Sequence, residues 1–203
     1  IVKGWSTELS IEVTSLGVQV HGGMGFIEET GAAQYYRDAR ILPIYEGTTA
    51  IQANDLIGRK TVRDGGKVAK SLLAGVAATI GALGAQQGPA FESMKKYLAQ
   101  GHQSLGAAVD FVVANTKGDP NAVFAGSVPY LKLAGIVLGG WQMARALLVA
   151  AQKRDEDPSF YGAKIATAQF YAEHVLPLAS ALEASIVSAK GGESVLALSE
   201  DQF

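Results

Sequence analysis

The stretch Gln19–Gln52 reads QVHGGMGFIEETGAAQYYRDARILPIYEGTTAIQ. It sets a glycine-rich turn, an Arg-Asp pair and a Tyr-Glu-Gly-Thr tetrad between segments of helical period. Upstream of it, Trp5, Leu9, Val13, Leu16 and Val20 recur at spacings of three and four, which predicts an amphipathic helix over residues 3–20. Gly22, Gly23 and Gly25 should end that helix, because glycine tolerates positive φ and lets other groups approach the backbone. Residues 30–40 read as a second helix with Thr30 as N-cap. The residue before a proline is biased away from the helical region, so the Leu42-Pro43 step is expected to be extended. A third helix is expected from near Glu46 to about Lys60.

Beyond Gly65-Gly66 the composition shifts to Ala, Gly and Leu. Gly88-Pro89, Asp119-Pro120 and Asp157-Pro158 mark helix starts with proline at the first helical position. They divide the region into helices near 67–85, 89–116, 120–153 and 158–190. One apolar seam runs through Ala134, Val137, Trp141, Ala144, Leu148 and Ala151. Another runs through Ala168, Ala172, Val175, Ala179, Leu182, Ile186 and Ala189. Small residues on such seams permit close antiparallel packing. Pro177 should kink the last helix by crowding the carbonyl of Glu173. Gly191-Gly192 should end it, leaving the tail from Glu193 to Phe203 loosely held. No strand signature outweighs the helical period. The expected fold is all-α, a partial helical bundle over 1–63 followed by an additional antiparallel bundle over 64–203.

Bulk properties narrow the function. The 203 residues are 48% apolar and 18% charged, a globular composition. A formal charge of −2, with Lys and Arg dispersed, offers no stripe for a nucleic-acid backbone. The absence of Cys excludes disulfides, thiolate zinc sites and Cys nucleophiles. Val128–Ala151 is mostly apolar, but Lys132 and Arg145 interrupt it, and the run between them is far shorter than the ~20 residues that cross a bilayer. A core helix is the expected reading, with no membrane span. The chain opens without Met and without a signal peptide, partway into a helix, so a fragment or a processed domain of a longer, cytoplasmic protein is expected.

On physical grounds Glu46 is a candidate general base. It stands at the expected head of a helix, and its neighbours Ile41, Leu42 and Ile44 can desolvate it, as proton abstraction near neutral pH requires. Its side chain is expected to project into a hollow, and Gly47 should leave room for a flat ligand. The structural alternative is a helix-start Glu that answers the dipole.

Three elements together change that balance. Gln19-Val20-His21-Gly22-Gly23-Met24-Gly25-Phe26, then Arg37-Asp38-Ala39-Arg40, then Ile44-Tyr45-Glu46-Gly47-Thr48 with Ile51-Gln52 behind, resemble the C-terminal helical domain of the acyl-CoA dehydrogenases in order, spacing and identity. The resemblance is strongest over residues 1–60. The Ala-rich remainder resembles the extra helical domain of longer bacterial members, including methylthio-propionyl-CoA dehydrogenase-like enzymes. The resemblance implies an FAD-dependent oxidoreductase of fatty acid metabolism that desaturates an acyl-CoA. Glu46 matches the base that takes the α-proton while the β-hydride goes to flavin N5. Its amide is expected to bond the thioester carbonyl. Tyr45 and Gly47 match substrate-contacting positions, and Thr48 one that touches FAD. Gln19, Val20, His21, Gly22 and Gly23 match the segment along the FAD diphosphate, usually that of a neighbouring subunit, so a homo-oligomer is implied. An electron acceptor such as an electron-transfer flavoprotein is implied as a partner. Arg37 and Asp38 read as an ion pair fixing the loop before Glu46.

One departure stands out: many members carry Gln two residues after the Thr, where this chain has Ala50. The family's N-terminal helical and middle β domains build most of the pocket and have no counterpart here. The isolated chain is therefore expected to be inactive and to hold FAD weakly or not at all. Two alternatives share the sequence: an acyl-CoA oxidase using the same base, and a non-catalytic helical assembly module.

Other signals carry less. His21, His102 and His174 lack ligand spacing, so no metal site is expected. Gly23–Glu28 fails the dinucleotide fingerprint, and Gly101–Gly106 misses a nucleophile elbow by one residue. Asp155-Glu156-Asp157 reads as a turn with a helix cap, and Glu28-Glu29 as solvated. Trp141, Phe170 and Tyr171 read as core.

Overall fold

A computed structural model describes residues 1–188 and 198–202. Among the described residues there is no strand. The expected helix end at Gly191-Gly192, the seam position Ala189 and most of the tail from Glu193 lie outside them.

Helix α1 runs Val2–Val20, close to its predicted span. Thr7 and Thr14 satisfy their hydroxyls on carbonyls one turn back, at Lys3 and Ser10. A single turn, α2 (Gly23–Phe26), and a 3₁₀ turn (Glu28–Thr30) lead into α3 (Ala32–Arg40). Thr30 does not cap α3. Its hydroxyl donates to the Met24 carbonyl, and Gly31 at φ 76 takes the N-cap position. The left-handed conformation there suits glycine, whereas Thr is held back in the preceding turn.

Helix α4 covers Thr49–Asp55 and widens into a π-helical stretch, Leu56–Val62. The Thr61 hydroxyl donates to the Leu56 carbonyl at 2.9 Å and meets the Tyr130 hydroxyl at 3.1 Å. A 91° bend follows. At that corner Gly65 and Gly66 adopt positive φ, and Asp64 accepts hydrogen bonds from the amides of Gly66, Lys67 and Val68. These are the orphan donors that begin α5 (Lys67–Leu83).

The bundle continues with α6 (Pro89–Asn115), α7 (Pro120–Ala125), α8 (Ser127–Gln152), α9 (Pro158–His174) and α10 (Leu178–Val187). Each of the three proline starts is where the sequence put it. Asp119 and Asp157 cap through their side chains, accepting from the amides of Ala122 and Phe160. Two expected helices are each divided. Gly126 separates α7 from α8, and the chain breaks rather than kinks between His174 and Pro177.

Two buried clusters make the core. One gathers Ile57, Leu105, Val109, Val112, Leu133 and Ile186. The other gathers Val76, Met94, Leu98, Ile136, Leu147 and Leu176. α8 feeds both. It is long and apolar enough to cross a membrane by composition, yet half of its most apolar stretch is buried inside the protein, as in a core helix. Its glycines are sockets. A side chain at Gly135 would overlap the Trp5 indole. One at Gly139 would press on the Tyr171 hydroxyl, and one at Gly140 on Leu176. The Tyr171 hydroxyl donates to the Ile136 carbonyl at 2.9 Å, and the Trp141 indole N–H to the Thr79 hydroxyl at 2.7 Å. Trp141 and Tyr171 thus pack against the core. Phe170 does not: it is 61% exposed and tilts against the His174 ring.

Substitution of Gly135 by Val should cost about 1–3 kcal/mol through overpacking against Trp5. Gly17→Ala on α1, where nothing lies within 4 Å, should instead stabilise by about 0.5–1 kcal/mol. Thermal denaturation of the two variants checks both signs. Burial pushes the Tyr171 phenol up to about 12. The folded state then holds this proton more tightly than the unfolded chain. Its contribution is intact below pH ~10 and is lost as pH rises from ~10 to ~12. Tyr171→Phe should flatten that alkaline limb of the stability curve.

Candidate active site

The loop that carries Glu46 begins with a turn at the end of α3. The amide of Ile44 donates to the Ile41 carbonyl at 3.0 Å, and that of Tyr45 to the same carbonyl at 3.2 Å. Leu42-Pro43 is therefore part of a compact turn, not an extended step, with Pro43 buried. Burying the ring outweighs the local bias of the residue before proline. From there the chain does not enter a helix at Glu46. It stays irregular through Gly47, and Thr48 is the N-cap of α4.

Glu46 has φ 52, and among the described residues it is the non-glycine with a positive φ. Such a conformation crowds Cβ against the backbone and costs roughly 1–2 kcal/mol. The surroundings hold it. Gln52 Nε2 donates to the Glu46 carbonyl at 3.2 Å, and Lys3 Nζ to the Gly47 carbonyl at 2.7 Å. The Lys3 ammonium lies 5.7 Å from the centre of the Tyr45 ring. The Thr49 hydroxyl donates to the Glu8 carboxylate. Two side chains from the first turns of α1 thus grip the loop on either side of Thr48. Gly47 is at φ 93, and a side chain there would strike the Gln52 amide at 2.7 Å. On the side where a Cβ would stand, the space beside Gly47 is filled by Gln52.

The Glu46 side chain is exposed, as are Ile41 and Ile44, so within this chain the apolar neighbours do not enclose it. A cleft of about 490 Å³ opens beside Thr49, lined by Trp5, Glu8, Glu12, Tyr36 and Lys132, but not by Glu46. Thr48 is exposed and its hydroxyl makes no capping bond.

The glycine turn sits at the other end of α1. Gln19, Val20, His21, Gly22 and Gly23 are all exposed. His21 Nδ1 lies 2.9 Å from the Gly17 carbonyl, beside the turn. Gly22 is at φ 60 and caps α2. Gly25 is buried because a side chain there would run into the Val18 carbonyl. Gly23 is different: its φ is ordinary and nothing lies within 4 Å. From Lys3 or Glu8 to Gln19 the rise along α1 is roughly 17–24 Å. The turn and the Glu46 loop therefore do not meet in one chain.

Arg37 pairs with Glu28 at 3.2 Å, not with Asp38, so the bridge ties α3 to the 3₁₀ turn and leaves the Glu46 loop to Lys3 and Glu8. Lys3 and Glu8 were not singled out in the sequence, and Gln52 only as part of the motif, with no role assigned to it. The Lys3–Gly47 contact spans 44 positions, and no local pattern encodes it.

These features define a helical segment in which side chains near one end of α1 hold the backbone of the Glu46 loop and an open glycine turn stands at the other end. Residues 1–60 match the family described as "Acyl-CoA dehydrogenase, C-terminal domain", and residues 72–199 match "Acetyl-CoA dehydrogenase C-terminal like". The chain belongs to the acyl-CoA dehydrogenase family of oxidoreductases, with the helical architecture of its C-terminal region. It is 50% identical over 201 residues to the 3-methylmercaptopropionyl-CoA dehydrogenase of Ruegeria pomeroyi, covering 98% of this chain and 34% of the relative. It is 34% identical over 189 residues to the broad-specificity linear acyl-CoA dehydrogenase FadE5 of Mycobacterium tuberculosis, covering 88% and 31%. A butyryl-CoA dehydrogenase of Syntrophomonas wolfei is 31% identical over 183 residues, covering 87% and 30%. The chain thus spans about a third of the length of the curated relatives it matches.

Glu46→Gly should relieve the left-handed strain and stabilise the chain by about 0.5–1 kcal/mol, while Glu46→Val should destabilise it. Chemical denaturation midpoints of the two variants read the sign.

Proposed function

We propose that this chain is the part of an FAD-dependent acyl-CoA dehydrogenase that carries the base for α,β-desaturation of an acyl-CoA thioester. The observation that carries the reading is the backbone of Glu46. A Glu held at φ 52 by Lys3 and Gln52 is kept in a costly conformation, and such strain persists where a side chain has a task. In this role Glu46 takes the α-proton, and Tyr45 and Gly47 border the acyl thioester. The amide of Glu46 supports the charge that develops on its carbonyl. The chemistry supplied by bound FAD is acceptance of the β-hydride.

The residues present fit one edge of that cofactor. Gly23 needs no missing side chain for its own conformation or packing, so its open face supports close approach by a diphosphate. Gln19 through Gly22 and the free hydroxyl of Thr48 are the other contacts in this reading. The glycine turn lies roughly 17–24 Å along α1 from the side chains that hold the Glu46 loop, and this separation supports the reading that the turn serves the flavin of a neighbouring subunit. The exposed stripe Leu9, Val13, Leu16 and Val20 supports burial of α1 against further polypeptide. An electron-transfer flavoprotein is the proposed electron acceptor. With a relative at 50% identity named for 3-methylmercaptopropionyl-CoA, a short acyl thioester with a thioether tail is the substrate class to assay first.

In the full-length polypeptide Glu46→Gln should retain FAD and lose at least a hundredfold in turnover, the order of a general base. Stopped-flow bleaching of the flavin by 3-methylmercaptopropionyl-CoA, run beside butyryl-CoA, measures it. Turnover at the wild-type rate removes Glu46 from the role. The 203-residue chain alone should show no flavin absorbance.

A further inference from the structure

The carbonyls of Glu46 and Gly47 are both tied to side chains of the same chain, by Gln52 at 3.2 Å and Lys3 at 2.7 Å. The peptide bond is planar and trans, so a carbonyl and the amide that follows it point in opposite directions. Anchoring the Glu46 carbonyl on Gln52 therefore turns the Gly47 N–H away from Gln52. Anchoring the Gly47 carbonyl on Lys3 turns the Thr48 N–H away from α1. Neither amide donates to any group among the described residues, and α4 begins only at Thr49.

The Lys3 bond is the stronger of the two, since an ammonium donates a shorter and charge-assisted bond. Lys3 is itself held, with its ammonium over the Tyr45 ring, at the limit of a cation–π contact. Glu8, one and a half turns further along α1, secures the next residue through Thr49. The peptide plane after Glu46 is thus set by Gln52 of α4, and the next plane, after Gly47, by Lys3 of α1.

We infer that Lys3 and Gln52 are positioning residues of the reacting site: by holding the Gly47 and Glu46 carbonyls they fix the two peptide planes that follow the base, and with them the direction from which Glu46 meets the acyl thioester. The inference rests on Glu46 being the base. Lys3 and Gln52 do not touch the reacting atoms, so their loss acts through geometry. A displacement of about 1 Å at a reacting group lowers rates by up to ~100-fold.

The test uses Lys3→Met, which keeps length without charge, Lys3→Arg, which restores a donor, Gln52→Leu, and Glu46→Gln as reference, each in the full-length FAD-loaded enzyme. In Lys3→Met, kcat should fall about 10- to 100-fold with KM, flavin content and Tm unchanged, and Lys3→Arg should recover most of it. Gln52→Leu should lower kcat in the same manner, which covers the case of a Lys3 variant that does not fold. In the 203-residue chain the ¹⁵N resonance of Thr48 should shift in Lys3→Met and return in Lys3→Arg, since its nitrogen shares a peptide with the anchored carbonyl. Wild-type kcat in both Lys3→Met and Gln52→Leu, with Glu46→Gln inactive, overturns the positioning role and leaves the base intact. An unmoved Thr48 resonance also overturns it. Wild-type turnover in Glu46→Gln overturns the base and, with it, this inference.

Discussion

The contact between Trp5 and Gly135 is the one on which the arrangement of the site depends. The indole of α1 lies where any side chain on that face of α8 would be, so it reaches the helix backbone itself. One residue earlier, Gly4 admits Leu131 in the same way, at 2.7 Å from where its own side chain would begin. Two reciprocal insertions, a large side chain from each helix into a glycine of the other, fix both the rotation and the height of α1. Lys3 and Glu8 flank this lock on the same helix. Their grip on the Glu46 loop is therefore referred to the bundle core, although the loop lies on the surface and buries little besides Pro43.

Helix α8 plays the same part for the remaining helices. It is rich in small residues, which reads from composition alone as flexibility. The structure gives each gap an occupant: Trp5, Tyr171 and Leu176 come from different elements and meet α8 at separate glycines. Close approach gains dispersion contacts that a uniform Leu seam would not offer, and it makes the interface specific, because each large residue has one place to fit. The polar atoms brought in by this packing are satisfied, with the Tyr171 hydroxyl on a main-chain carbonyl and the Trp141 N–H on Thr79.

Legibility in the sequence followed the range of the interactions. Caps at Asp119 and Asp157 act over three residues, and both were readable from an Asp-Pro pair. The all-α class was readable because helical period is a local property, and the family was readable because its motif is contiguous in one stretch. The breaks at Gly126 and before Pro177 were not, since whether a glycine or proline bends or interrupts a helix depends on what packs beside it. At Gly126 the neighbour is Ile186, sixty positions along the chain. Phe170 was misread for a related reason: a helix surrounded by Ala-rich seams offers too little periodic contrast to tell an outer aromatic from an inner one. The departure of Glu46 from helical geometry was the least readable feature. Its cause lies in Lys3 and Gln52, and a propensity scale sees neither.

The length of α1 has a consequence of its own. One rigid rod sets the span between the loop it grips near its start and the glycine turn at its far end. Adding or deleting a single residue within it would advance the turn by about 1.5 Å and swing it through about 100° about the axis. Changes of residue type on its outer face can be absorbed one at a time, but a change in count cannot. Evolution should therefore treat this helix as a ruler, free to be repainted and closed to being lengthened or cut.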